Sequence, residues 1–116
     1  GSLIVVGDDA RLKPFPAPTE PPLFILVLGE TARSDSLSIN GYERATMPLL
    51  SQRKDLFSAR NAWSCGTSTA ESLPCMFSPL GRDGFKARRA EYENLLDVLQ
   101  RSGLAVLWLD NQSGCK

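Results

Sequence analysis

Along the chain, short apolar runs alternate with polar, turn-rich stretches. Residues 23–28, Leu-Phe-Ile-Leu-Val-Leu, are continuously apolar and rich in β-prone side chains. Such a run predicts a strand buried on both faces of a parallel sheet, ending at Gly29-Glu30. Residues 31–42 are polar. Asn40-Gly41 marks a tight turn, and a short helix is expected over 47–53. Residues 56–63 alternate well enough to predict a second strand, with Gly66 close behind. Ser68-Thr-Ala-Glu71 has the S-x-x-E spacing of a capping box, so a helix is expected from about Thr69 towards Leu80, disturbed by Pro74. Tyr92, Leu95, Leu96 and Leu99 recur at helical spacing and predict a helix over 90–101, with Arg101 in its last turn and Gly103 as its stop. Residues 104–109 form a third apolar run ending on a polar cluster that begins at Asp110.

Strand, loop, helix and strand in alternation predict an α/β fold with a mainly parallel sheet flanked by helices. Three strands with few connecting helices fall short of a full doubly wound sheet, so the chain is expected to be part of a larger domain. Upstream, residues 14–22 hold five prolines in nine positions, which predicts an extended linker without helix. Gly1-Ser2 has the look of a cloning scar with no signal peptide behind it, pointing to an engineered cut. The expected organisation is therefore scar and linker over 1–22 and the N-terminal portion of a truncated domain over 23–116.

Composition narrows the chemistry. At 116 residues there is room for one small domain. Thirteen basic and thirteen acidic residues cancel and are scattered, which argues against a nucleic-acid partner. The longest apolar run, 23–28, is far short of the roughly 20 residues needed to span a bilayer. There is no histidine, so a Ser-His pair or a His-rich metal site cannot be assembled from these residues alone. The three cysteines stand at 65, 75 and 115. A Cys65–Cys75 bridge, closing a loop of about ten residues, would stabilise the fold by roughly 2 to 3 kcal/mol in an oxidising compartment, and Cys115 would then want a partner past Lys116; buried free thiols are the alternative.

Open parallel sheets bind ligands at the carboxyl ends of their strands. The expected ends here carry Glu30, the turn from Cys65 to Thr69, and the Asp110 cluster. Glu30 suits a metal or proton role, or is simply a loop carboxylate favouring the next helix. Cys65-Gly-Thr-Ser-Thr-Ala70 puts three hydroxyls at a helix N-terminus, where backbone N–H groups and the dipole attract a phosphate-like anion. One of them is a candidate nucleophile, and without histidine its economical activator is a divalent metal; the plainer alternative is that all three only compete to cap the helix. Arg33, Asn111, Gln112 and Lys116, at or just after the expected strand ends, are candidates for holding phosphate or headgroup atoms.

Five motifs together resemble a known family. Gly29-Glu-Thr-Ala-Arg-Ser34, Asn40-Gly-Tyr-Glu-Arg44, Ser64-Cys-Gly-Thr-Ser-Thr-Ala70, Ser72-Leu-Pro-Cys-Met-Phe-Ser78 and Trp108-Leu-Asp-Asn-Gln-Ser-Gly-Cys-Lys116 are similar, in order and spacing, to the lipid A phosphoethanolamine transferases of the alkaline-phosphatase superfamily. That group includes the mobile colistin-resistance enzymes. The resemblance implies Thr69 as nucleophile and zinc ligand, Glu30 as a zinc carboxylate, and Asn111, Gln112 and Lys116 near the substrate phosphate. It also implies a Cys65–Cys75 disulfide, a partner for Cys115 just past the end, and further aspartate and histidine zinc ligands downstream. It further implies phosphatidylethanolamine as donor, lipid A as acceptor, a phosphoethanolamine-threonine intermediate and resistance to polymyxin and cationic peptides. Transmembrane helices ahead of residue 1 would hold the site at the periplasmic face of the bacterial inner membrane. A phosphatase or sulfatase of a soluble ester is the alternative, as is a piece that is catalytically incomplete by itself.

Overall fold

The computed structural model describes residues 2–14, 16, 20–29 and 31–111. These fall into two compact units, one drawn from 1–24 and 64–116 and the other from 25–63.

The first unit carries three short helices, α1 (Thr69–Met76), α2 (Gly81–Ala87) and α3 (Leu95–Arg101). Ser68 caps α1 from an extended backbone, its Oγ accepting from the Glu71 amide at 3.3 Å. This supplies one of the acceptors that a helix start lacks. Pro74, inside the helix, has no N–H to give to the preceding turn, and Pro79 bars Ser78 from helical geometry, so α1 ends at Met76 rather than reaching Leu80. The chain then turns into α2, which the apolar pattern does not announce. The last helix starts at Leu95, five residues later than its periodicity suggests. Asn94 and Asp97 form a reciprocal capping box, with Asn94 Oδ1 accepting from the Leu96 amide at 2.9 Å and Asp97 Oδ2 from the Asn94 amide at 2.9 Å. Ahead of that cap the backbone pairs instead with the N-terminal segment: Ile4 N–H donates to Glu91 O and Glu93 N–H to Ile4 O, both at 2.9 Å, making a parallel bridge between Ile4 and Tyr92. Gly103, at φ 114°, takes the left-handed step that ends α3, as expected.

Arg101 fastens this arrangement. Its Nη1 donates to both Glu93 carboxylate oxygens at 2.8 and 2.9 Å, its Nη2 donates to Val6 O, and Glu93 Oε1 also accepts from the Val6 amide. Cys75 and Phe77 are the buried apolar residues among those described. Phe77 meets Trp108 edge-on at 5.9 Å, beside a cavity of about 160 Å³ also lined by Phe85, Arg88 and Tyr92.

The second unit is built from 3-10 turns, Ser34–Ser36, Ser38–Asn40 and Leu50–Gln52. The last stands where a short helix over 47–53 is expected; Arg53 returns to extended backbone after a single turn.

The three expected strands do not form a sheet among the described residues. Residues 23–28, 56–63 and 104–109 have no ladder partner there, the Ile4–Tyr92 bridge being the one β pairing among those residues. Phe24, Phe57 and Leu109 are 86, 88 and 84% exposed. The reason is physical: an apolar run encodes a demand for burial, but a parallel strand is completed only by a neighbour reached through a long crossover.

Candidate active site

The hydroxyl-rich turn before α1 is shaped by its own side chains. Ser64 Oγ donates to Gly66 O at 2.7 Å, closing a tight loop. A Cβ on Gly66 would stand 2.9 Å from the Cβ of Glu71, so only glycine lets the loop approach the first turn of the helix this closely. Ser68 follows as N-cap, which places Thr69 as the first residue of α1, half-buried. Cys65 and Cys75 are joined by a disulfide with Cα atoms 6.3 Å apart. The bridge ties the loop ahead of Thr69 to the buried far end of the same helix. With a hydroxyl set on the first turn, the positive end of the helix dipole faces any anion that approaches it.

Of the three hydroxyls in that turn, Ser68 caps the helix through its contact with the Glu71 amide, and Thr69 stands at the helix's first position.

Thr69 belongs to the first unit and the turn after residues 23–28 to the second. In that turn Thr31 is held at φ 53°, a conformation that β-branched residues rarely adopt. Arg33 is exposed, and its Nη2 donates to Asp35 Oδ2 at 2.8 Å, so its guanidinium is partnered within the turn. Asn111 is exposed, the last of the described residues. Glu30, Gln112, Cys115 and Lys116 lie outside them. Among the described residues no three His, Cys, Asp or Glu side chains gather as a metal would require, and no helix is long and apolar enough to cross a membrane. Farther along the second unit Arg53 grips Asp55 through Nε and Nη2 at 2.8 and 2.6 Å. This hydrogen bond holds the Asp55 carboxyl below its ordinary range and raises the Arg53 guanidinium.

Two contacts escaped the sequence reading. Asn94 carried a usable signal, since Asn-x-x-Asp ahead of an apolar run is cap spacing. Asn40 carried a partial one: Asn-Gly announces a turn, yet nothing in it tells that the side chain reaches Ser34 and Ser58.

Comparison with known proteins then decides the family, for the sulfatase family profile matches residues 22–116. The chain belongs to the sulfatase family. Within it, the chain is 51% identical over 98 residues to the phosphatidylethanolamine transferase Mcr-1 of Escherichia coli, covering 84% of this chain and 18% of that protein. It is 43% identical over 116 residues to the phosphoethanolamine transferase EptA of Escherichia coli K12, covering 98% of this chain and 21% of that one. The Kdo(2)-lipid A phosphoethanolamine 7''-transferase of Salmonella typhimurium is 40% identical over 82 residues, covering 70% and 14%. No solved structure matches. The chain thus spans about a fifth of the length of these two transferases. Membership in the sulfatase family implies the α/β architecture of the alkaline-phosphatase superfamily.

Proposed function

We propose that the protein to which these residues belong transfers phosphoethanolamine from phosphatidylethanolamine to a phosphate of lipid A, with Thr69 as nucleophile. One observation carries the reading: Thr69 is the first residue of a capped, disulfide-tied helix in a chain 43–51% identical to enzymes named as phosphoethanolamine transferases. In the first half-reaction Thr69 Oγ1 attacks the phosphorus of the donor. Its proton leaves, the bond from phosphorus to the glycerol oxygen breaks, and diacylglycerol departs with a proton. Phosphoethanolamine then rests on Thr69 as a phosphodiester. In the second, an oxygen of a lipid A phosphate attacks the same phosphorus, the bond from phosphorus to Thr69 Oγ1 breaks, and Oγ1 takes back a proton.

The donors in this chain suit a zinc ion in kind, being the Thr69 hydroxyl and the Glu30 carboxylate, but supply only two of the about four a tetrahedral site takes. Cys65 and Cys75 are spent on each other, and there is no histidine. Further ligands are expected from polypeptide outside these residues. Bound there, zinc would favour the alkoxide form of Thr69 and offset charge on the phosphoryl oxygens. The helix N-terminus adds its own fixed positive potential at no reorganisation cost. Asn111, Gln112 and Lys116 are assigned to the substrate phosphate, the lysine as a point charge and the amides as hydrogen-bonding groups.

The disulfide supports an oxidising compartment, in keeping with catalysis at the periplasmic face of the inner membrane and anchoring by helices ahead of residue 1. An added ethanolamine ammonium would offset the negative charge of lipid A and weaken its hold on polymyxin and other cationic peptides. The parallel sheet expected around residues 23–28, 56–63 and 104–109 is assigned to the complete domain, where additional strands would cover their exposed apolar side chains.

The deciding experiment is peptide mass spectrometry of the full-length parent after incubation with phosphatidylethanolamine. A phosphoethanolamine adduct on Thr69 is expected. The family match itself favours one second reading, hydrolysis of a soluble phosphate or sulfate ester. Such hydrolysis without any adduct from the lipid would replace the transferase reading.

A further inference from the structure

The cavity beside Phe77 has no part in the chemistry above. Its walls are largely apolar, with Leu73, Phe77, Phe85 and Trp108 among them. Two donors on side chains that line it, Arg88 Nε and Trp108 Nε1, are buried without a hydrogen-bond partner among the described residues. Buried N–H groups seldom go without an acceptor, so this pair calls for one. Both side chains are anchored by other contacts. Arg88 Nη1 donates to Phe85 O at 2.8 Å, its guanidinium lies 3.7 Å from the centre of the Phe85 ring, and Nη2 stands 3.7 Å from Glu91 Oε1. Trp108 meets Phe77 edge-on.

An occupant must therefore offer an acceptor on an apolar body. An anion fits poorly, because Glu91 and Glu93 line the same cavity as Arg88 and would repel it, whereas a neutral carbonyl meets no such penalty. At about 160 Å³ the space suits one ring-sized group, as a cavity of roughly 150 Å³ suits benzene. It takes a carbonyl and the first few carbons of a chain, not a whole acyl tail. Position supplies the source. Thr69, Leu73 and the C-cap Phe77 follow one another at intervals of four along α1 and so share one side of it. The cavity wall thus begins one helical turn, about 5 to 6 Å, from Thr69. In a phospholipid a comparable reach of a few bonds separates the phosphorus from an acyl ester carbonyl.

We propose that this cavity is a leaving-group subsite: Trp108 Nε1 and Arg88 Nε donate to an acyl ester carbonyl of the donor phospholipid, and the apolar walls take the first carbons of its chain. The inference rests on the reading of phosphatidylethanolamine as donor.

The test compares two donors in the full-length parent, dihexanoyl phosphatidylethanolamine and its dihexyl ether analogue, which keeps the chains and lacks the carbonyls. The wild type is expected to show a KM for the ester roughly two- to tenfold below that for the ether. Trp108→Phe keeps a ring against Phe77 and removes the N–H; it is expected to raise KM for the ester towards that of the ether and to leave the ether unchanged. Arg88→Lys, which keeps the charge and removes Nε, is expected to act in the same way and decides the matter should Trp108→Phe fail to fold. A role in stability alone would move both donors equally. Equal KM values for the two donors in the wild type, or variants that shift both alike, overturn the proposal and leave the cavity to water. A parent that transfers from both donors alike sinks only the subsite; one that transfers from neither sinks the transferase reading and the subsite with it.

Discussion

The unit that carries Thr69 is held by a disulfide, two side-chain helix caps and an arginine that grips Glu93 and Val6 at once, whereas residues 25–63 are held by hydroxyl and amide side chains bridging 3-10 turns. The first set of devices acts largely within a helix or at its ends and fixes local geometry strongly. The second depends on several modest hydrogen bonds being made together. A covalently braced helix and 3-10 turns bridged by polar contacts suggest different tolerances: the former should survive the loss of one contact, the latter should loosen.

That contrast can be broken most decisively at Thr69. If Thr69 is the nucleophile proposed, Thr69→Ala in the full-length parent is expected to cut transfer by at least about a thousandfold, because a group made covalent in the reaction has no substitute. The helix should persist, since alanine is well tolerated at this position. Retained transfer, measured as product from phosphatidylethanolamine, would remove Thr69 from the chemistry. Next in size is the bridge. Replacing Cys65 and Cys75 together by serine is expected to cost about 2 to 3 kcal/mol and to lower the melting temperature by several degrees in a calorimetric scan. An unchanged scan would mean that capping alone braces α1.

Smaller again is the cap of α3. Asn94→Ala removes the acceptor for two amides, at 2.9 and 3.3 Å, and should cost about 1 kcal/mol, read from the urea midpoint. Asn94→Asp, which keeps an acceptor oxygen, should recover most of it. The smallest effect is expected in the second unit, at the exposed Arg53–Asp55 pair. Because the Asp55 carboxyl is depressed by Arg53 in the fold, its contribution is present above the ordinary carboxylate range and is lost as pH falls through the depressed value. Asp55→Asn should therefore leave stability unchanged at acid pH and lower it only slightly at neutral pH, as solvent-exposed pairs contribute little. A large neutral-pH loss in urea titrations would show that polar contacts brace this unit more firmly than supposed.

Local signals were legible along the chain to the degree that their physics is local. Ser68 three residues ahead of Glu71 announced the start of α1 to the residue, and Gly103 announced the end of α3. The start of α3 was misplaced because Tyr92 keeps the apolar period while its backbone is taken by Ile4; periodicity registers side-chain character and is blind to a competing hydrogen-bond partner. Residues 23–28 were expected as a buried strand, and 23–27 stand exposed among the described residues, since hydrophobicity names no neighbour. In the candidate site, the place of Thr69 at a helix start could be read from the local motif. The contacts of Asn40 could not, because Ser58 lies 18 residues away and nothing in an Asn-Gly pair specifies it.

By itself the sequence determined where α1 begins and where α3 stops, which cysteines lie close enough to bridge, and which family these motifs belong to, all consequences of interactions spanning a few residues or of residue identity. Tertiary structure decided that Arg101 closes onto Val6 across 95 residues, that Ile4 pairs with Tyr92, and that Asn40 joins Ser34 to Ser58. Such contacts depend on the path of the whole chain: each is a weak interaction that forms only after many others have brought its partners together.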